Sequence, residues 1–265
     1  MSARPRRVLV VGARGRMGEG VRAALARDPE LRLGAALEVP GHPDLGQTLE
    51  HGVVLVDDPE AALRGCDVAI DFSSPPSTLA TLQLAAAQGV AYVTGTTGFS
   101  EAGRRELERF SERIAIVHAP NFSVAVNVLA WLVRAAVERL GPGYDAEIVE
   151  LHHAAKRDAP SGTALRLAEA VAEGRGEALA ERLVVARAGE TGARPPGAIG
   201  VQALRGGDNP GEHTVMLLGR GERLELSHRS QTRDHFAEGA VRAARWLAGR
   251  APGLHRFEAV LGLEP

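Results

Sequence analysis

Short apolar runs alternate with helical patterns through the first half of the chain. The runs cover residues 8–11, 31–37, 53–56, 68–72, 91–94 and 114–117. Between two of them, Val21, Ala24 and Leu25 recur at a spacing that places apolar side chains on one face of a helix. Short, mostly apolar runs are typical of strands that are buried on both faces of a parallel sheet. The alternation therefore predicts an α/β fold with a Rossmann-type, doubly wound parallel sheet.

The pattern changes after a predicted helix over 124–140. A strand that begins near Glu147 leads into an amphipathic helix near Ala164, and a loose, charged and glycine-rich connection is expected over 173–177. Further strands are predicted over residues 183–185, 199–204, 212–218 and 223–228. Hairpin-like connections are predicted over residues 206–211 and 219–222. The order predicts a second, α+β domain with a mixed, largely antiparallel sheet. A helix over 236–247 and a short apolar tail over 253–263 follow it.

Helices are predicted on only one side of this second sheet. Val215, Leu217, Leu224 and Leu226 are therefore expected to form an apolar face that nothing within the chain covers. Faces of this kind are usually buried by self-association. We predict a homo-oligomer.

The turn after the first strand carries three glycines, Gly12, Gly15 and Gly18. Such a turn lets the backbone approach a diphosphate closely, and the helix start that follows offers free N–H groups. The next strand ends at Glu38, a carboxylate suited to accept hydrogen bonds from a ribose diol. The glycine spacing alone is weak evidence. In its strand–turn–helix–strand context it indicates dinucleotide binding rather than a tight turn that binds nothing.

Three later strands of the first half also end in polar turns. Ser73 and Ser74 follow one strand, Thr96 and Thr97 follow the next, and Asn121 follows the third. Each residue alone is a possible helix cap or turn residue. Ligands of doubly wound sheets bind beyond the carboxyl ends of the strands. Together with the glycine turn, these residues predict one ligand-binding crevice.

The densest group of titratable residues lies in the stretch 147–164. His152, His153 and Lys156 have side chains that can exchange protons, and Lys156 or Arg157 could bind carboxylates. The sequence Pro-Ser-Gly-Thr at 160–163 places two hydroxyls and backbone N–H groups at a helix start, which is a second anion site. With the dinucleotide fold, these residues indicate a nicotinamide-dependent reductase or dehydrogenase that acts on a small anion. They do not identify the anion.

Simpler interpretations exist for the same residues. Adjacent histidines at a strand end are often surface residues, and Ser161 or Thr163 could simply cap a helix. A pair of histidines could also bind a metal, but no third ligand follows at a familiar spacing, so no metal site is predicted.

Composition excludes several classes of function. The formal net charge of −2 gives no basic field for nucleic acid, and no apolar run approaches membrane-spanning length. Residues 1–7 are basic but are followed by a very short apolar run, so a solvated arm is expected rather than a signal peptide. Cys66 is the only cysteine, which excludes a disulfide within the chain and a cysteine zinc site. It suits a reducing, cytoplasmic location.

The stretch 147–164 resembles the signature of the 4-hydroxy-tetrahydrodipicolinate reductase (dihydrodipicolinate reductase) family. That signature runs Glu-[Ile/Val]-x-Glu-x-His-x-x-x-Lys-x-Asp-x-Pro-Ser-Gly-Thr-Ala, and the stretch satisfies every fixed position. The resemblance continues at residues 12–18, 38, 71–72, 95–99, 121–123 and 211–214, and so spans nearly the whole chain. It implies NAD(P)H-dependent reduction of 4-hydroxy-tetrahydrodipicolinate to tetrahydrodipicolinate in the diaminopimelate–lysine pathway.

The resemblance also implies a cofactor-binding domain over 1–123, completed by 234–265. The pyrophosphate would contact Gly12, Ala13, Arg14, Gly15, Arg16 and Met17. The adenosine ribose would contact Glu38. The nicotinamide end would be held by Gly95, Thr96, Thr97, Ala119, Pro120, Asn121 and Phe122.

The remaining residues, 124–233, would form a domain for substrate binding and oligomerisation. His152 and Lys156 match the acid/base pair of the family, and Lys156 is the favoured proton donor. The dicarboxylate would be bound by His153, Lys156, Ser161, Gly162, Thr163 and Arg233. The family resemblance further implies a tetramer built through the sheet of this domain.

The sequence departs from the family pattern in places that bear on function. Ala154 and Ala155 occupy sites where many relatives carry a further histidine, so that histidine is not essential here. Val39 follows the ribose acid where a basic residue often meets the 2′-phosphate of NADPH, and Ser74 replaces an arginine found in some relatives. Because Glu38 would repel a 2′-phosphate, we predict that NADH is used at least as well as NADPH. Arg14 and Arg16 remain possible partners for that phosphate.

Two other functions fit parts of the sequence. Another two-domain NAD(P) dehydrogenase, acting on an amino acid or a sugar, would require the signature stretch to be coincidental. A non-catalytic dinucleotide sensor would bind the cofactor without turnover and would more naturally lack His152 or Lys156.

Overall fold

The computed structural model describes residues 4–263. The chain divides into two compact units, unit 1 (Met1–Ser123 with Asp234–Pro265) and unit 2 (Val124–Arg233). The first three residues of the expected basic arm, 1–3, lie outside the described residues. No helix within residues 4–263 is long and apolar enough to cross a membrane.

The structure contains strands and helices that are numbered in chain order. The strands are β1 (Arg6–Val11), β2 (Leu31–Leu37), β3 (Leu55–Val56), β4 (Val68–Asp71), β5 (Ala91–Thr94), β6 (Ala115–His118), β7 (Asp145–His152), β8 (Leu183–Val184), β9 (Ile199–Arg205), β10 (Glu212–Leu218), β11 (Arg223–Arg229) and β12 (Gly253–His255). The α-helices are α1 (Arg16–Leu25), α2 (Pro59–Leu63), α3 (Pro75–Gln88), α4 (Glu101–Ser111), α5 (Val124–Leu140), α6 (Gly162–Arg175), α7 (Asp234–Leu247) and α8 (Phe257–Leu261).

Unit 1 is built on a seven-stranded parallel sheet in the order β12-β6-β5-β4-β1-β2-β3. Val8, Leu9 and Val10 of β1 are at most 1% exposed, because helices cover both faces of the sheet. Helix α7 packs against α1 and the central strands β4 and β5. The predicted doubly wound parallel sheet is confirmed. The apolar tail expected over 253–263 folds into β12, at the edge of this sheet, and α8.

The third strand is shorter than the predicted 53–56. Val54 instead forms an isolated antiparallel bridge with Thr48, so only Leu55 and Val56 pair with β2. His51, in the turn between these bridge partners, has a left-handed backbone with φ 57°.

Unit 2 contains a five-stranded mixed sheet in the order β11-β10-β7-β9-β8. β7, β8 and β9 run parallel to each other, and β10 is antiparallel to both β7 and β11. The predicted mixed sheet and the hairpin at 219–222 are therefore confirmed. The hairpin predicted at 206–211 is wrong, because β7 lies between β9 and β10. The reason is that buried Ile148 of β7 needs apolar neighbours on both sides, and it pairs with Val201 and Val215.

The loose connection predicted at 173–177 is also wrong. Helix α6 continues to Arg175 and ends at Gly176, which adopts a left-handed conformation with φ 68°. A Cβ atom at Gly174 would lie 2.8 Å from the carbonyl oxygen of Arg134 in α5. The two glycines therefore provide a close helix–helix contact and a helix cap.

Most of the apolar face predicted to be uncovered is in fact covered. Val215 and Leu217 are at most 1% exposed and belong to the core of unit 2 with residues of α5 and α6, and Leu226 packs against this core, whereas Leu224 is 39% exposed. The strand register places other side chains on the opposite face, which carries Val149, Leu151, Leu204, Met216 and Leu218. Leu204 is 51% exposed. The homo-oligomer stays a prediction, now for this opposite face.

Candidate active site

The glycine turn of unit 1 is shaped by two distinct requirements. Gly12 has a left-handed backbone with φ 69°, and its N–H donates to the carbonyl of Leu37 at 2.9 Å. A Cβ atom at Gly18 would lie 2.1 Å from the carbonyl oxygen of Gly12, so α1 can approach the turn only with glycine there. Gly15 precedes α1 without a side-chain cap. The turn thus leads into a helix whose first N–H groups have no side-chain cap, which is the arrangement that a pyrophosphate site requires.

Glu38 lies beside this turn, immediately after β2. Its Oε2 accepts the backbone N–H of Arg14 at 3.0 Å, and its Oε1 accepts that of Val39 at 3.1 Å. A cavity of about 290 Å³ in unit 1 is lined by Glu38 and Val39 together with Gly12, Ser73 and Thr81. The carboxylate therefore stands at the wall of a cavity of a size suited to part of a small ligand.

The polar turns after β4, β5 and β6 are joined to one another. The N–H of Gly95 donates to the carbonyl of Asp71 at 2.9 Å, and that of Ala119 donates to the carbonyl of Thr94 at 3.2 Å. Buried Thr96 shares a 2.8 Å hydrogen bond with Thr78. Because these strands are neighbours in a parallel sheet, their turns lie at one edge of unit 1.

Aromatic rings fix the backbone of two of these turns. A Cβ atom at Gly95 would lie 2.0 Å from the ring of Phe72. Phe72 in turn makes an edge contact with Phe122, with centroids 5.7 Å apart. Helix α7 approaches the segment 119–122 closely, since a Cβ atom at Gly239 would lie 1.8 Å from the carbonyl oxygen of Phe122. The expected nicotinamide-binding residues thus belong to a tightly packed part of unit 1.

In unit 2, the imidazole of His152 contacts the carboxylate of Glu150. His152 Nδ1 lies 2.6 Å from Glu150 Oε2, and both side chains point to the buried face of β7. Arg205 of β9 donates to both oxygens of Glu150, at 2.8 and 2.9 Å. The backbone N–H of Ser161 also donates to Glu150, at 3.0 Å. Glu150 is fully buried, and these contacts compensate its charge.

The contacts determine the charge states of this pair. Burial opposes ionisation of Glu150, but the hydrogen bonds from Arg205 and His152 outweigh it and hold the pKa of Glu150 below its usual value. Burial lowers the pKa of His152, an effect that Glu150 opposes and that Lys156 and Arg205 reinforce. Glu150 is therefore a carboxylate near neutral pH, and neutral His152 carries its proton on Nδ1.

A second histidine, His213, packs against His152. His213 of β10 is 4% exposed, and its ring centroid is 5.2 Å from that of His152. His213 Nε2 lies 3.1 Å from Ser161 Oγ, and its buried Nδ1 has no hydrogen-bond partner among the described residues. Burial, followed by the influence of His152, lowers the pKa of His213 to about 4. His213 is therefore neutral at physiological pH.

Unit 2 also contains Lys156 and the other residues that are expected to contact the substrate. Lys156 Nζ lies 2.9 Å from Asp158 Oδ1, and its side chain is 20% exposed. The backbone N–H of Lys156 donates to the carbonyl of His153. Arg233 Nη2 is 3.5 Å from His153 Nε2. Unit 2 thus brings a lysine, a histidine and an arginine near the end of β7.

Ser161 caps helix α6. Its Oγ accepts the N–H of Ala164 at 3.1 Å, and its own N–H is bound to Glu150. Both polar groups of Ser161 therefore have partners within unit 2. Ser161, Gly162 and Thr163 stay predicted substrate contacts. Within residues 4–263, no group of three or more His, Cys, Asp or Glu side chains is arranged to hold a metal ion.

Models of one protein family match almost the whole chain. Residues 6–122 match the N-terminal part of dihydrodipicolinate reductase, and residues 125–261 match its C-terminal part. The chain belongs to the dihydrodipicolinate reductase family. The 4-hydroxy-tetrahydrodipicolinate reductase of Anaeromyxobacter dehalogenans (strain 2CP-1) is 48% identical, over 97% of this chain and 98% of the relative. The enzyme of the same name from Thiobacillus denitrificans is 47% identical, over 97% and 99%.

Solved structures agree with this family assignment. Dipicolinate-bound dihydrodipicolinate reductase from Paenisporosarcina sp. TG-14 is 25% identical and superimposes with a TM-score of 0.80, over 96% of this chain and 98% of that chain. GenD2 from gentamicin A biosynthesis, in complex with NAD, has a TM-score of 0.62 at 16% identity, over 99% and 92%. The second likeness concerns the fold alone.

Several residues that support the site in this dihydrodipicolinate reductase family member have no role in the sequence-based prediction. Arg205 donates to Glu150, and the ring of His213 contacts that of His152. Tyr92 donates to buried Asp71 at 2.7 Å, and Asp71 accepts the N–H of Ser73 in the turn after β4. Strand patterning indicates Glu150: it alternates with Ile148 and His152, which places a carboxylate on the buried face of a strand. His213 lies in the segment 211–214 that resembles the family, but the resemblance assigns no contact to it. Arg205 and His213 come from distant strands, and no local pattern connects them to Glu150.

Proposed function

We propose that the protein catalyses NAD(P)H-dependent reduction of 4-hydroxy-tetrahydrodipicolinate to tetrahydrodipicolinate, a step of diaminopimelate and lysine biosynthesis. The observation that carries this proposal is the placement of carboxylate-bound His152 close in sequence to Lys156 and to the capped start of α6, in a chain of this family. The single cysteine, Cys66, is buried, and we expect the enzyme to act in the cytoplasm.

Unit 1 is the part that would hold the dinucleotide. Glycine at position 18 lets the start of α1 lie against the turn at Gly12, where its N–H groups would contact the pyrophosphate, and Glu38 would accept hydrogen bonds from the adenosine ribose. The turns 95–97 and 119–122 would hold the nicotinamide end. The nicotinamide supplies the hydride, which adds at C4 of the cyclic imine substrate with loss of water.

Unit 2 would bind the substrate and handle protons. A dicarboxylate requires cationic and N–H donors, and His153, Gly162, Thr163 and Arg233 are expected to provide them together with Lys156. Lys156 would donate the proton. His152, neutral with a free Nε2, would accept a hydrogen bond and orient the reacting groups rather than act as the acid.

The activity is tested by the loss of NADH absorbance after the condensation product of pyruvate and aspartate semialdehyde is added. Turnover that depends on this product supports the reductase. Cofactor binding without turnover would instead favour a dinucleotide sensor. Turnover with an amino acid or a sugar alone would favour another dehydrogenase.

NADH is expected to be used at least as well as NADPH. The guanidinium of Arg14 is already engaged, with Nε 2.9 Å from Asp44 Oδ2 and Nη2 bound to Gln47. The Nε–H does not point at the carboxylate, so the contact with Asp44 is an ion pair rather than a hydrogen bond. With Arg14 engaged in this way, a 2′-phosphate gains no partner from Arg14 and is repelled by the Glu38 carboxylate beside the ribose site, so Arg16 is the remaining candidate partner. We expect kcat/KM with NADH to equal or exceed that with NADPH.

A substitution tests the same preference. Val39→Arg should raise kcat/KM with NADPH by about tenfold, the effect of one charge-assisted hydrogen bond of roughly 1.5 kcal/mol. Val54→Arg is the matched control, because Val54 is also an exposed valine of unit 1 but does not line the cavity beside Glu38. A strong preference of the unmodified enzyme for NADPH would contradict the prediction.

We also propose a homo-oligomer, expected to be a tetramer, built through the open face of the unit 2 sheet. Leu204→Asp should lower the mass measured by light scattering at micromolar concentration, since it places a charge on this face. Leu254→Asp, on the edge strand β12 of unit 1, is the control, because Leu254 is 41% exposed and Leu204 is 51% exposed. A monomeric mass for the unmodified protein would reject the proposal.

A further inference from the structure

The fully buried carboxylate of Glu150 has four hydrogen-bond donors around it. His152 Nδ1 and Arg205 Nη1 reach one oxygen, at 2.6 and 2.8 Å, and the N–H of Ser161 and Arg205 Nη2 reach the other, at 3.0 and 2.9 Å. Such an arrangement is weak evidence for a role in stability, because replacing a buried ion pair by apolar residues is often neutral or stabilising. The arrangement does, however, fix the position of every group that contacts it.

Three segments expected to act on the substrate depend on these contacts. Glu150 binds His152 directly, and it binds Ser161, the N-cap residue of α6, through the backbone N–H of that serine. Arg205 Nη2 also donates to the carbonyl of Asp158 at 2.6 Å, and the Asp158 carboxylate forms the ion pair with Lys156. The Glu150 carboxylate and the Arg205 guanidinium thus connect β7, the loop that carries Asp158 and the start of α6.

We propose that Glu150 is the positioning residue of His152, held in place by Arg205. The carboxylate accepts the Nδ1 proton of the imidazole, so Nε2 carries a lone pair and points away from Glu150 as a hydrogen-bond acceptor. Gly211 makes room for this nitrogen, since a Cβ atom there would lie 2.7 Å from His152 Nε2. Without Glu150 the ring is free to adopt the other tautomer or to rotate, and the acceptor is lost from the site.

This inference rests on the reductase activity proposed above, and Glu150→Gln tests it. Glutamine has the same shape, but its NH₂ group replaces one of the two oxygens. It therefore faces an N–H of Arg205 in either orientation, and with it either His152 Nδ1 or the N–H of Ser161, so the arrangement that holds His152 is disrupted. We expect kcat to fall by about 10- to 100-fold, as for other partners that orient a functional histidine. The Kd for NADH, which concerns unit 1, should not change.

Glu147→Gln is the matched control. Glu147 lies on the same strand, on the opposite face, and it forms an equivalent bidentate pair with Arg187, at 2.8 and 2.8 Å, and a third contact with Arg194. It does not contact His152. Glu147→Gln should therefore retain kcat, even if both variants lose a similar amount of thermal stability.

A double-mutant cycle separates positioning from general structural support. If Glu150 acts through His152, then Glu150→Gln should cost little further activity in a His152→Gln background, because the group that it positions is gone. If the two losses simply multiply, the positioning role is wrong. The cycle is measured as kcat for the four proteins under saturating NADH and substrate.

Two further outcomes are distinguishable. If Glu150→Gln does not yield folded protein, Glu150→Asp keeps the charge opposite Arg205 but withdraws the carboxylate from Nδ1, and the same loss and the same coupling to His152 are expected. If the unmodified enzyme does not turn over the substrate, the proposed function fails. If it does, and the Glu150 variants retain full kcat, only the positioning role fails.

Discussion

Replacing Lys156 with alanine is expected to lower kcat by about 10²- to 10⁴-fold, the usual contribution of a positioned general acid. The ammonium group lies at the end of the segment that follows β7, is partly exposed, and is held by Asp158 at 2.9 Å. No other lysine occurs in the chain to take over its role, since Lys156 is the only one. Because the residue belongs to unit 2 and the glycine turn belongs to unit 1, the Kd for NADH should remain nearly unchanged.

Arg157→Ala provides the control for this experiment. Arg157 is the next residue and is exposed, so its removal changes the local charge by the same amount without removing the expected proton donor. Its kcat should stay within a few-fold of the unmodified value. Equal loss of NADH binding and of turnover in Lys156→Ala would point to a structural role and contradict the assignment.

Gly18→Ala is expected to have the second large effect. A Cβ atom there would lie 2.1 Å from the carbonyl oxygen of Gly12 and 2.8 Å from Cα of Ala13, both backbone atoms that cannot move aside by a side-chain rotation. Helix α1 must therefore shift away from the turn. A displacement of about 1 Å can cost about 100-fold in activity, and we expect a loss of that order in kcat/KM for NADH. Overpacking should also lower the free energy of unfolding by about 1–3 kcal/mol.

The matched control is the same substitution at Gly20, two residues further along helix α1. A Cβ atom at Gly20 would meet only the Cβ atom of Ala237, at 3.3 Å, and alanine is favoured over glycine within a helix. Gly20→Ala should therefore bind NADH normally and unfold at a similar or higher temperature. Similar NADH binding by Gly18→Ala and Gly20→Ala in a titration would show that the close approach at Gly18 has no role in cofactor binding.

The parts of the fold that the sequence predicts well are those with an unambiguous local pattern. Strand β2 and helix α5 have the predicted bounds, because each combines a regular pattern of mostly apolar residues with clear breaks, such as Gly141 after Leu140. Strand β10 shows where such reasoning fails. Val215, Met216, Leu217 and Leu218 are consecutive apolar residues, so the alternation does not reveal which side is buried. Packing against α5 and α6 decides it.

The candidate site divides in the same way. The motifs of consecutive residues, the glycine turn and the segment from His152 to Thr163, are visible in the sequence. The charge on Glu150 is stabilised by Arg205, a residue 55 positions away in the chain that reaches Glu150 only because β9 pairs with β7. Likewise, the engagement of Arg14 by Asp44 depends on the path of a loop. Residues that act on ligands are recognisable from local motifs, whereas residues that hold them in place depend on the tertiary pairing.

The contact between Gly239 and Phe122 has a consequence for synthesis of the protein. Unit 1 is discontinuous, and helix α7, which supports the turn 119–122, is translated only after all of unit 2. Domains tend to fold in the order in which they emerge from the ribosome. The N-terminal segment of unit 1 therefore lacks α7, and part of its sheet stays uncovered, until all of unit 2 has been synthesised. The site for the dinucleotide is therefore among the last features of the molecule to be completed.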